Sequence, residues 1–108
     1  MTAGTLDIVI VLTTLGVATD ADAFARTLVE ERLAACVNVL PPMRSTYRWK
    51  DAIECGEERQ VVIKTTTDRV EALEARLRTL HPYETPEFLV IAVAGASEAY
   101  VNWLTAGC

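Results

Sequence analysis

The residue types that could do chemistry in this chain are concentrated in one heptapeptide, HPYETPE at residues 81–87, which holds the single histidine, a tyrosine, two prolines and two carboxylates. Imidazole combined with carboxylate or thiolate suits copper or zinc, and copper(II) stands at the top of the divalent affinity order. A lone histidine cannot make such a site, and the plain alternative for His81 is a residue at a helix end that interacts with the last carbonyls. An oligomer changes this, because a site repeated around an axis or built across a subunit boundary can collect imidazole, carboxylate and thiolate ligands from different copies. Glu84 and Glu87 flank Pro86 in an extended stretch and face opposite ways, so they form no obvious acid/base pair of the kind that works across a cleft. Cys36, between Ala35 and Val37, reads first as a small buried hydrophobe and second as a ligand. Lys64, inside the apolar run VVIKTT, must snorkel, pair with a carboxylate or meet an anion.

Other chemistries find little footing. No GxGxxG, P-loop, GxSxG or HExxH occurs, which removes the usual phosphate-binding, triad and zincin signatures. The formal net charge of −5 gives no basic footprint for nucleic acid, and Arg44, Arg48 and Lys50 around Tyr47 and Trp49 read as one polar face of a strand. Three widely spaced cysteines without a CxxC make neither a disulfide framework nor a zinc ribbon, and reduced thiols in the cytoplasm fit them best. The apolar run from Leu6 to Ala18 imitates a signal core but lacks a basic start, and it is too short to span a bilayer.

The elements that must position these residues follow from periodicity. At 108 residues, 51% hydrophobic and 23% charged, the chain is expected to form one domain over 1–108. LDIVIVLTT at 6–14 is apolar on both alternating faces, a buried central strand. Thr19 or Asp20 can cap a helix carrying Phe24, Ala25, Leu28 and Leu33 at helical spacing. ACVNVL at 35–40 is a second strand, stopped by Pro41-Pro42 and continued by MRSTYRWK, with a hairpin tip at Asp51-Ala52 and a return arm ending in QVVIKTT. Asp68 and Glu71 signal the start of a second amphipathic helix over Val70, Leu73, Leu77 and Leu80, which Pro82 ends. FLVIAVA at 88–94 is a last strand apolar on both faces, and Ser97 can cap a short helix with Tyr100, Trp103 and Leu104.

The order βαββαβ plus a terminal helix predicts an α+β, ferredoxin-like four-stranded antiparallel sheet with both main helices on one face and a long β2–β3 hairpin. Neither face of the first or last strand is polar, so the face away from the helices would expose an apolar patch unusual for a soluble monomer. A homo-oligomer is therefore expected, and Tyr47, Trp49, Tyr83, Tyr100 and Trp103 read as core or interface aromatics.

Taken together, ERLAACVNVLPP, STYRW, VVIKTT, TDRVEALEARLRTL, HPYETPE and AYVNWL resemble the CutA family of divalent-cation tolerance proteins over roughly residues 7–105. The resemblance implies a homotrimer similar to the PII signalling proteins, with grooves between subunits, an association with copper(II) and other divalent cations, and no enzymatic reaction. It places His81, Glu84 and Cys36 as candidate metal ligands and Asn38, Tyr47, Trp49, Lys64, Tyr83, Glu87 and Trp103 as candidate cleft residues, with Pro82 and Pro86 completing the motif. Some members have a cysteine at the end of the first strand and a second histidine before HPY, where this chain has Thr13 and Leu80. A copper site that needs all three groups is thus incomplete here. The expected function is a cytoplasmic, trimeric metal-binding protein without nucleic-acid or membrane partners. Two alternatives stand beside it: a PII-like sensor holding an anionic effector through Lys64 and Tyr47 or Trp49, and a structural scaffold.

Overall fold

A computed structural model describes residues 6–108, and its elements follow the predicted order. Strand β1 (Ile8–Gly16) leads to helix α1 (Ala21–Glu30), which Asp20 caps by accepting the Ala23 N–H at 3.0 Å. The helix ends in a Schellman turn: Leu33 N–H reaches Leu28 O, Arg32 N–H reaches Val29 O, and Arg32 sits at φ 58°.

Strands β2 (Cys36–Trp49) and β3 (Ala52–Thr66) make the long hairpin. Pro41-Pro42 does not stop β2 as the sequence suggested. The strand lies at the edge of the sheet, where a missing N–H is tolerated, and the prolines fall in a β-bulge between Val39 and Pro42. The tip is Lys50-Asp51, one residue earlier than predicted, with φ 49° and 66° as a type I′ turn requires.

A 3₁₀ turn at Thr67–Arg69 precedes helix α2 (Val70–Leu80). Asp68 does not cap α2: its carboxylate accepts the Thr66 hydroxyl, and no side chain bonds to the helix start. His81 is extended (φ −89°, ψ 131°), as the residue before Pro82 must be, so the helix stops where predicted. Strand β4 is shorter than the predicted 88–94, covering Leu89–Ala92 and pairing only with Val9–Leu12. Helix α3 (Glu98–Gly107) starts at Ser97, whose hydroxyl accepts the Tyr100 N–H at 3.2 Å.

The sheet order is β2-β3-β1-β4, all neighbours antiparallel, the ferredoxin-like arrangement. Phe24 and Leu28 of α1 and Leu73 and Leu77 of α2 share one core with Val9, Val11, Leu15, Val61 and Ile63, so both helices cover the same face. Burying each Leu there is worth about 1.5–3 kcal/mol. The opposite face, reached by the alternate residues, is covered at one end only, where Leu104 of α3 packs on Leu6 and Ile8. Beyond it Leu89 and Ile91 of β4 remain 53% and 44% exposed, while Val90, paired with Val11 and so turned to the helix side of the same edge, is 47% exposed. Among the described residues no helix is long and apolar enough to cross a membrane.

Candidate functional site

The segment from His81 to Phe88 crosses from the end of α2 to β4 and passes the last residues of β1. Pro82 and Pro86 keep it extended, and three side chains fasten it. His81, only 7% exposed, meets the carbonyl oxygen of Thr14 through Nε2 at 2.6 Å, and its Nδ1 accepts the N–H of Tyr83 at 3.1 Å. A carbonyl only accepts and a backbone N–H only donates, so the geometry selects the neutral Nε2–H tautomer. Tyr83 turns its ring edge to the imidazole, centroids 4.7 Å apart, and donates its hydroxyl to Glu58 Oε2 at 3.2 Å. Burial, with the Glu58 carboxylate second, raises the Tyr83 phenol above its ordinary pKa. Gly16, directly opposite Glu58 on β1, makes room for this contact, since a Cβ there would lie 3.3 Å from the Tyr83 hydroxyl. Farther along, Gln60 Nε2 donates at 2.8 Å both to Glu87 Oε2 and to the Thr13 carbonyl, tying the segment to the sheet.

The candidate metal ligands are not brought together. Among the described residues no three of His, Cys, Asp and Glu gather closely enough to hold an ion within one chain. Cys36 begins β2 opposite Lys64, whereas His81 reaches Thr14, which pairs with Gln60 four residues away along β3, about 13 Å at strand rise. The sulfur of Cys36 has Asn38 Oδ1 at 3.9 Å as its polar neighbour. Glu84 is exposed and lines a shallow depression of about 390 Å³ with Glu74, Arg78 and Tyr83, where Arg78 is already paired with Glu74 at 2.8 Å. Glu87 is turned away to Gln60, so the two carboxylates are parted as the sequence predicted.

Thr13 and Leu80 now have physical roles. Thr13 is fully buried, its hydroxyl without a partner among the described residues, and Leu80 packs on the main core. A hydroxyl and an alkyl group stand where donors were sought, and both imidazole nitrogens are engaged. The unspent donors of the proposed set are Glu84 and Cys36.

The candidate cleft residues divide between places. Lys64 is half-buried between Ile10 and Cys36 and makes no ion pair among the described residues. Tyr47 faces Glu54 and Trp49 faces Ala52 across the hairpin, both exposed. Trp103 stacks on Tyr100 on the outside of α3, centroids 5.5 Å apart. Sequence reasoning missed Gln60, Glu58 and Gly16, which anchor the segment. A glutamine opening an otherwise apolar strand run was the one signal that pointed to any of them.

Comparison with known proteins follows from this geometry. The family described as CutA1 divalent ion tolerance protein matches residues 9–107. A divalent-cation tolerance protein CutA of Pectobacterium atrosepticum is 43% identical over 100 residues, covering 93% of this chain and 91% of its own length. The crystal structure of CutA from Xylella fastidiosa superposes with a TM-score of 0.90 at 39% identity, covering 94% of this chain and 98% of that one. The structure of a PII-like protein CutA from Nostoc sp. PCC 7120 gives 0.85 at 37% identity, covering 92% and 95%.

Proposed function

The chain belongs to the CutA1 family of divalent ion tolerance proteins, and from that premise we propose that it serves divalent-cation tolerance as a cytoplasmic homotrimer, binding copper(II) or another divalent cation between subunits and catalysing no reaction. The observation that carries this reading is that one chain is incomplete in both respects. Its β4 face is apolar and uncovered, and its ligand set is scattered. Copies around an axis would remedy both, since a closed ring buries sheet faces and repeats every donor.

The ligands proposed are Glu84 and Cys36, with His81 contributing only through Nδ1, the nitrogen whose lone pair Tyr83 N–H now occupies. A cation there would have to displace that N–H. His81 is therefore assigned first to holding the segment. Native mass spectrometry of protein isolated without added metal is expected to give three subunits with any retained ion. Calorimetric titration of copper(II) into the wild type, Glu84→Ala, Cys36→Ser and His81→Ala then ranks the ligands. Equal affinities in all four would remove the metal assignment.

Lys64, half-buried and without an ion pair among the described residues, favours a second reading in which an anionic effector is held in an intersubunit groove. If no metabolite raises the Tm of the wild type more than that of Lys64→Ala, this reading fails.

A further inference from the structure

At the other end of the sheet from HPYETPE, the chain leaves a cavity of about 540 Å³. Thr66 closes β3 there, opposite Ile8, which stands six residues before Thr14 on β1, about 20 Å at strand rise. The 3₁₀ turn gives Thr67, Asp68 and Arg69 to the wall, the residue before β1 gives Asp7, and the end of α3 gives Thr105 and Cys108. None of these residues belongs to the metal or effector readings above. The volume falls in the range of small-molecule clefts, about 300–1,000 Å³.

Hydrogen bonds fix this wall without using its charges against one another. Thr67 N–H donates to the Asp7 carbonyl at 2.8 Å, and the buried Thr66 hydroxyl donates to Asp68 Oδ1, which orients that carboxylate. Thr65 donates its hydroxyl to the Leu33 carbonyl at 2.7 Å, which leaves Cys108 Sγ, 3.6 Å away, as the donor to that oxygen. The end of α3 comes this close because residue 107 is glycine, where a Cβ would lie 3.1 Å from that of Ala35. Arg69 is half-buried, yet it makes no ion pair among the described residues, with Asp7 and Asp68 included. A partly desolvated guanidinium is costly until a carboxylate meets it, and the two carboxylates in its own wall do not.

We propose that this cavity takes a free α-amino acid, its carboxylate on the Arg69 guanidinium and its ammonium on Asp7 and Asp68. A guanidinium matches a carboxylate bidentately, and an ammonium is a compact charge that two carboxylates can share. A wall that carries both signs and has not paired them with each other suits a ligand that carries both. Two carboxylates against one guanidinium leave the wall one charge negative, which disfavours a phosphate-bearing ligand. Among the described residues no three of His, Cys, Asp and Glu gather to hold an ion, so the cavity is no cage for a metal. Its wall is complete within one chain, and the binding proposed stands apart from both the metal reading and the homotrimer.

The test titrates each of the standard amino acids into the full chain, followed by amide chemical shifts and by calorimetry. The tightest binder is then compared with its decarboxylated amine and its deaminated acid, which keep one charge each. Shifts are expected at Asp7, at 67–69 and at 105–108, with both single-charge analogues at least about tenfold weaker than the parent. Arg69→Gln and Asp68→Asn, each checked for folding by circular dichroism, should weaken binding at least about tenfold. Arg26→Gln, which removes an exposed charge on α1, should leave it unchanged. No shift with any amino acid overturns the proposal, as does an amine or acid that binds as tightly as its parent. Binding that survives both cavity substitutions, or that Arg26→Gln weakens equally, overturns it as well.

Discussion

Replacing His81 with alanine separates a strut from a metal ligand. The substitution removes the hydrogen bond to the Thr14 carbonyl and the acceptor for Tyr83 N–H, both at a side chain that is 7% exposed. Two such bonds contribute about 1 kcal/mol each, and leaving a buried carbonyl without its donor costs about 1–3 kcal/mol more, partly overlapping with the first sum. The expected loss is about 3 kcal/mol, further than a solvent-facing ligand position should give.

The measurement is urea unfolding of wild type and variant at equal protein concentration, because oligomer stability depends on concentration. An unchanged slope with a lower midpoint would locate the loss in the native state. A loss below about 1 kcal/mol accompanied by abolished copper(II) binding would refute the strut assignment and return His81 to the ligand set.

Three shorter predictions follow from backbone and charge. Arg32 occupies the left-handed position of a Schellman turn, so Arg32→Gly should stabilise the chain by about 1 kcal/mol, read as a raised Tm. The same reasoning applies to Asp51→Gly at the hairpin tip, where φ is 66° and a type I′ turn favours glycine at its second position. For Tyr83 the folded-state pKa is raised, first by burial and then by Glu58, so its stabilising contribution is complete below the unfolded value of about 10 and is lost as pH rises through the folded one. Stability measured from neutral to strongly alkaline pH should therefore fall more steeply in the wild type than in Tyr83→Phe, and parallel curves would contradict the assignment.

The fold was legible because its signals are local. Asp20 and Ser97 cap the helices assigned to them, and Pro82 ends α2 at Leu80 through a clash that needs no tertiary context. The errors arose where neighbours decide. Pro41-Pro42 reads as a stop in isolation, yet an edge strand has no ladder bond to lose on its outer side, and the surplus residue is absorbed as a bulge. Asp68 has the spacing of a cap, but the Thr66 hydroxyl claims its carboxylate first. Strand β4 looked longer because Val93 is apolar, whereas Val93 packs on the α3 cluster and has left the ladder.

The candidate site was legible as a position and not as a set of partners. Sequence located HPYETPE and its two prolines, but the groups that satisfy it come from residues 67, 25 and 27 positions distant in the chain: Thr14 for His81, Glu58 for Tyr83 and Gln60 for Glu87. Those partners change the chemistry. An imidazole with one nitrogen donating to a carbonyl and the other accepting an amide has no free lone pair to offer until the amide bond to Nδ1 is broken. If a divalent cation is bound with His81, Tyr83 N–H must lose its acceptor, and the segment that Glu58 and Gln60 also hold must loosen with it. Metal binding by His81 would then register as increased hydrogen exchange at Tyr83, while binding by Glu84 and Cys36 alone would leave that amide protected.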